Sequence, residues 1–173
     1  MTINRRSLLK ASIILPLSLW LPGASLWAQA TPDDAETLSL AIHTQQGPHR
    51  LDVELADTLA ERQRGLMQRE HLPAKRGMLF VFDNERSANN GFWMYQTLIP
   101  LDIAFIDAAG RIVAIDTMQP CESSSPGDCP SYAPGAAYHA ALEVNAGYFA
   151  ERGIGVGDCV SVPALTGFCQ PEN

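Results

Sequence analysis

The chain has 173 residues, with 12 Lys+Arg, 19 Asp+Glu and four Cys; 46% of its residues are hydrophobic and 18% charged. That is long enough for one domain with a real core, too short for two ordinary catalytic domains, and too apolar for wholesale disorder. A net charge of −7 argues against a nucleic-acid partner, which needs basic patches that neutralise phosphate.

In chain order, Arg5, Arg6 and Lys10 supply a positive region, Ala11 to Leu21 an apolar segment, and Ala28-Gln29-Ala30 a small-x-small cleavage site. Residues 1–30 therefore read as an export signal. The run Asn4-Arg5-Arg6-Ser7-Leu8-Leu9-Lys10 resembles a twin-arginine signal, with Asn4 and Leu8 departing from its commonest form; an ordinary Sec signal is the alternative. Cleavage after Ala30 leaves 143 residues carrying 9 basic and 19 acidic groups, a net charge of −10. No later stretch offers the ~20 apolar residues of a membrane span. The mature chain is expected to be soluble in the periplasm or another exported compartment.

Residues 31–36 are polar and acidic and read as a flexible leader. Leu38, Leu40 and Ile42 share one parity, and Leu51, Val53 and Leu55 repeat it after a break at Gly47-Pro48, which predicts an antiparallel pair. Thr58 and Glu61 have capping-box spacing, so a short helix should run to about Arg64 and stop at Gly65. Met78 to Phe82 reads as a buried strand, and Asp83 to Gly91 as a connection. Leu101 to Ile106, the turn Asp107 to Gly110, and Arg111 to Ile115 give the clearest hairpin signal and support an antiparallel core. Met118 to Gly135, rich in Pro, Ser and Gly, is an irregular loop that calls for a staple, a binding role or both. Tyr138 to Val144 alternates, with Tyr138, Ala140, Leu142 and Val144 taken as core-facing. A short helix within Gly147 to Gly153 and a closing strand at Cys159 to Val162 complete the domain, 37–163, before a tail of 164–173.

Cysteines in an exported chain are expected to pair, and four allow three pairings. Cys121 with Cys129 and Cys159 with Cys169 is favoured, because it staples the irregular loop and ties down the tail. A thiolate metal site or redox pair is the alternative, but the chain has no Cys-x-x-Cys spacing. It also has no His-Glu-x-x-His or Gly-x-Ser-x-Gly motif, and Gly153-Ile154-Gly155-Val156-Gly157-Asp158 lacks the Lys-Ser/Thr pair of a phosphate loop. On a strand, His139 and Glu143 would stand roughly 13 Å apart, too far to ligate one small ion. Neither metal nor cofactor is expected.

Trp93 and Tyr95 are the candidates for the aromatic wall of a ligand cavity, with core packing the alternative for Trp93 and Met94. Arg64, Arg69, Asp102, Glu143 and Asn145 are candidates for its polar side. The arginines offer planar donor arrays to a carboxylate or phosphate, and Asp102 and Glu143 would serve as acid and base if the fold brought them to one bond.

Several ordered blocks together resemble the DUF 192 family, also called uncharacterised protein family 0127. They are Glu61-Arg62-Gln63-Arg64-Gly65-Leu66-Met67, Gly77-Met78-Leu79-Phe80-Val81-Phe82, Phe92-Trp93-Met94 with Thr97-Leu98-Ile99-Pro100-Leu101-Asp102-Ile103, and Ala141-Leu142-Glu143-Val144-Asn145-Ala146-Gly147. Cys129-Pro130-x-Tyr132 fits another block, whereas Tyr95-Gln96 stands where the family pattern often has Asn before Thr. The resemblance spans about Leu51 to Val162. It implies a compact, β-rich α+β domain, commonly following an export signal, and carries no activity or cofactor.

The fold expected is α+β, mainly antiparallel strands with two short helices. The leading functional expectation is an exported binding or accessory domain for a small polar ligand or envelope component, using Trp93, Tyr95, Arg64, Asp102 and Asn145. A hydrolase-like enzyme built on Asp102 and Glu143, with Arg64 stabilising negative charge, is one alternative. A structural protein-interaction module is the other. Oligomeric state is not readable from the sequence.

Overall fold

The computed structural model describes residues 35–121 and 123–169. Residues 1–30, expected to be an export signal, together with residues 31–34 and 170–173, lie outside the described residues. The elements in order are β1 (Leu38–Thr44), β2 (Gly47–Ala56), α1 (Leu59–Arg64), β3 (Arg76–Arg86), β4 (Phe92–Trp93), β5 (Leu101–Ile106), β6 (Ile112–Met118), β7 (Ser131–Tyr132), β8 (Tyr138–Asn145), α2 (Tyr148–Glu151) and β9 (Cys159–Ser161).

Seven strands form one sheet in the order β6-β5-β8-β3-β2-β1-β9, and β4 pairs with β7 separately. Only β2 and β3 run parallel; the other pairings in both sheets are antiparallel. The two ends of the large sheet meet at a short seam. There the Ile112 amide donates to the Asp158 carbonyl at 3.0 Å, the Val160 amide donates to the Gly110 carbonyl at 2.8 Å, and Arg111 bridges Cys159. The sheet is thus curled, β-rich and antiparallel-rich, with two helices of six and four residues as its only α-helices among the described residues.

Curling divides the apolar side chains into two layers. The inner layer takes Leu40, Ile42, Val53, Leu79, Ala104, Leu142 and Val144 from the strands and is closed by Tyr148 and Phe149 of α2. The outer layer takes Met78, Phe80, Leu101, Ile103, Phe105 and Ala141, and is covered by Leu66, Leu72 and Met94 from the connections. Central strands buried on both faces lose the clean alternation of a half-buried strand. Hence β5 is buried at every position, and β8 is buried at Ala141 and Glu143 as well as at the expected Ala140, Leu142 and Val144. Tyr138 packs in the outer layer, edge-on to Phe105 and Phe82, instead of sharing a face with Ala140.

Two local expectations are corrected. Gly47-Pro48 opens β2 instead of breaking the pair, because the turn is made by residues 45–46 and Thr44 already faces Gly47. The run Asp83 to Arg86 is strand, not connection: β3 passes an irregularity after Val81 and pairs again at Arg86–Tyr138. The capping box forms as its spacing predicts. The Thr58 hydroxyl accepts from the Glu61 amide at 3.3 Å, and the Glu61 carboxylate accepts from the Thr58 amide at 3.0 Å. Cys121 pairs with Cys129 and Cys159 with Cys169, with Cα–Cα separations of 5.6 and 5.7 Å, inside the usual disulfide range. No helix among the described residues is long and apolar enough to cross a membrane.

Candidate functional site

The outer face of the sheet holds a row of four residues, one per strand: Glu54 on β2, Met78 on β3, Glu143 on β8 and Ile103 on β5. With strands roughly 4.8 Å apart, the two glutamates stand about 10 Å from each other across Met78. The segment that follows α1 lies over this row. Gly65 makes that passage possible: its φ of 48° belongs to the left-handed region, and a Cβ there would come within 3.3 Å of the Phe80 ring.

The two glutamates are treated differently. Arg69 donates both guanidinium arms to Glu54, at 2.5 and 2.6 Å, a bidentate pair that satisfies both groups. Glu143 is 5% exposed, and no hydrogen bond or ion pair engages its carboxyl among the described residues. Burial pushes its pKa up to about 8, since a desolvated carboxylate is costly and no hydrogen bond or ion pair offsets that cost.

Glu143 opens into a small depression lined also by Arg64, Gly65, Phe92, Trp93 and Thr97. Its volume of ≈ 30 Å³ has room for about one or two water molecules and is far below the several hundred Å³ of a metabolite pocket. A wider surface cleft of ≈ 480 Å³ adjoins it, sharing Arg64, Gly65 and Met67 and reaching Arg69 and Glu54. Arg64 is exposed and makes no hydrogen bond or ion pair among the described residues. Arg62 is occupied: it donates to the carbonyls of Asp57 and Val81 and lies 5.2 Å from the Phe82 ring centroid.

Trp93 is 46% exposed at the rim and packs at 5.5 Å against Tyr95, whose hydroxyl accepts from the Gln96 amide at 3.2 Å. The segment carrying them is held to the α1 side by the Gln68 amide, which donates to the Gln96 carbonyl at 2.7 Å. Both glutamines have positive φ, 61° and 57°. A position that imposes this conformation favours Asn, so the Asn common in the family pattern where Gln96 stands here follows from the backbone without any ligand contact.

Of the five residues nominated for ligand binding, Trp93 and Arg64 line the depression and Tyr95 backs Trp93. Asp102 and Asn145 do not join them. Asp102 faces the inner layer, where its carboxylate accepts from the Thr117 hydroxyl at 2.7 Å and the Phe149 amide at 3.3 Å. Asn145 donates to the Leu72 and Pro73 carbonyls at 2.9 and 3.4 Å, tying down the connection before β3. The expected meeting of Asp102 with Glu143 fails for a reason of register. Glu143 pairs with Ile103 and Asp102 with Val144, so the two carboxyls project from opposite faces of the sheet. Arg69 is likewise consumed by Glu54, which sequence reasoning missed because Glu54 has the polar parity of an alternating strand. Thr97, 6% exposed, heads one of the blocks that carry the family resemblance but was not nominated for the site. Among the described residues, no group of three or more His, Cys, Asp or Glu could hold a metal ion.

The geometry defines a curled β-domain whose outer face carries one unpartnered acid beside a free guanidinium and an exposed indole. The chain belongs to the DUF192 family, described as uncharacterized ACR, whose model matches residues 41–162. Comparison with curated proteins gave no match. Two solved structures are similar, each with 30% identity and a TM-score of 0.64 over 76% of this chain. One, from Sinorhizobium meliloti 1021, is described as a candidate transcription regulator and is covered over 97% of its length. The other, from Novosphingobium aromaticivorans DSM 12444, is a protein of unknown function covered over 89%.

Proposed function

We propose that this chain is an exported binding domain that receives the polar end group of a small ligand or envelope component in the depression over Glu143. One observation carries the reading: a buried carboxyl without a partner opens to the surface beside Arg64 and Trp93. Its oxygens are reached only through the depression, and a largely buried ionisable group without a protein partner at a cleft is a mark of function. Trp93, backed by Tyr95, supplies the wall; Arg64 supplies a charge with no internal use. Export is supported by the basic and apolar opening of the chain and by two disulfides, which persist in oxidising compartments. The regulatory description of the Sinorhizobium relative is not carried over, since 19 acidic residues against 12 basic ones disfavour a phosphate backbone. A hydrolase using Asp102 with Glu143 loses its basis with the two side chains on opposite faces.

The test is native export followed by incubation with envelope extract and mass spectrometry of retained small molecules. Selective retention that falls in W93A and in Glu143→Ala, with both variants still folded, supports the reading. Equal retention by wild type and both variants, or none, rejects it.

A further inference from the structure

We infer that the group received by the depression is a carboxylate: one ligand oxygen accepts a hydrogen from the Glu143 carboxyl, the other faces the Arg64 guanidinium, and the Trp93 indole lies along the ligand's body. This rests on the binding reading above and adds the chemical class. The donor set selects it. An ammonium would meet the charge of Arg64, and a neutral hydroxyl group would leave that charge unanswered. A carboxylate answers both a neutral acid and a cation, in the planar geometry that guanidinium forks match. Size agrees, because ≈ 30 Å³ admits a group on the scale of one or two waters and excludes a sugar ring. Charge agrees too: of the 9 basic residues in 31–173, Arg62, Arg64 and Arg69 cluster on this segment, and only Arg64 remains without a partner there.

Glu143 donates only while it is protonated, and burial keeps it so to about pH 8. The charged groups lining the same depression are Arg62 and Arg64 from α1, neither of them bonded to Glu143, and Met78 of β3 and Ile103 of β5 flank it in the sheet. Glu54 of β2 lies beyond Met78 and is neutralised by Arg69. Above that pH, an ionised Glu143 repels the ligand.

Trp93 is the single tryptophan of residues 31–173, so its fluorescence reports the site directly. The mature protein is titrated with butanoate, butanamide, butylamine and inorganic phosphate, at about pH 6.5 and about pH 9.5. The expected result is a saturable change with butanoate alone at the lower pH. It should weaken roughly tenfold or more in Arg64→Gln and by a similar factor at the higher pH. Glu143→Gln, whose amide donates at every pH, should abolish the pH dependence. Equal response to butanamide, a pH-independent wild type, or an unaffected Arg64→Gln would overturn the inference. Saturation by phosphate or butanamide alone overturns the carboxylate assignment and leaves the binding site standing. If no probe moves Trp93, the assignment also falls, and retention from envelope extract decides the binding reading separately.

Discussion

Asp102 and Glu143 are buried to nearly the same degree, 2% and 5% exposed, on adjacent strands one register position apart. On the inner face Asp102 is held by a hydroxyl and a backbone amide, and through Phe149 it fastens α2 to the sheet. On the outer face Glu143 is held by nothing and is pushed toward the neutral form. The same side-chain chemistry is thus structural on one face and available on the other. The difference lies in partners, because depth of burial does not separate the two.

The largest expected effect concerns Glu143. Its folded pKa lies above the unfolded value, so the native state binds more protons between about pH 4.5 and about pH 8, and stability falls as pH rises through that window. Glu143→Gln removes this slope. Urea unfolding at about pH 5 and pH 8 should show the wild type losing on the order of 3–4 kcal/mol more than the variant across that interval. Parallel behaviour of the two would mean that Glu143 has a partner and that the contrast is false.

Asp102→Ala should destabilise through lost hydrogen bonds. It strands the Thr117 hydroxyl and the Phe149 amide, and costs about 2–4 kcal/mol at roughly 1–3 for each unmet group. Denaturation midpoints at neutral pH check it. Arg69→Gln converts Glu54 from a paired acid into a second unpaired one on the outer face and should cost about 2 kcal/mol. The mildest is Thr117→Val, which keeps shape, removes one of the two bonds to Asp102, and should cost about 1 kcal/mol by thermal unfolding.

Local features were legible before the fold was known. The Thr58–Glu61 capping box, the β5–β6 hairpin and both disulfides depend on residues close in sequence, and all are present. What depends on register was not. Whether Asp102 and Glu143 share a face is decided by how β5 pairs with β8, some 40 residues apart in sequence, and a slip of one residue would reverse the answer. The parallel β2–β3 pairing, the curl and the two-sided burial of β5 are likewise properties of the assembled sheet. Arg64 and Trp93, which line the same depression, could be nominated from sequence because their residue types are chemically distinctive. Thr97 stood in a family block but its residue type suggested no chemistry, and Glu54 was passed over because a Glu of polar parity looks ordinary in a string.

The seam between Gly110–Ile112 and Asp158–Val160 joins what would otherwise be two free edges of the large sheet. A β-ribbon left open at that end would offer unpaired amides and carbonyls to another copy, the usual template for polymerisation. Here those groups are spent on each other, and the tail presses over the join so closely that a Cβ at Gly110 would lie 2.1 Å from the Cys169 nitrogen. A methyl group at position 110 would pry the clasp apart, and fibrillar or swapped assemblies, more than loss of ligand, are the failure to expect from it.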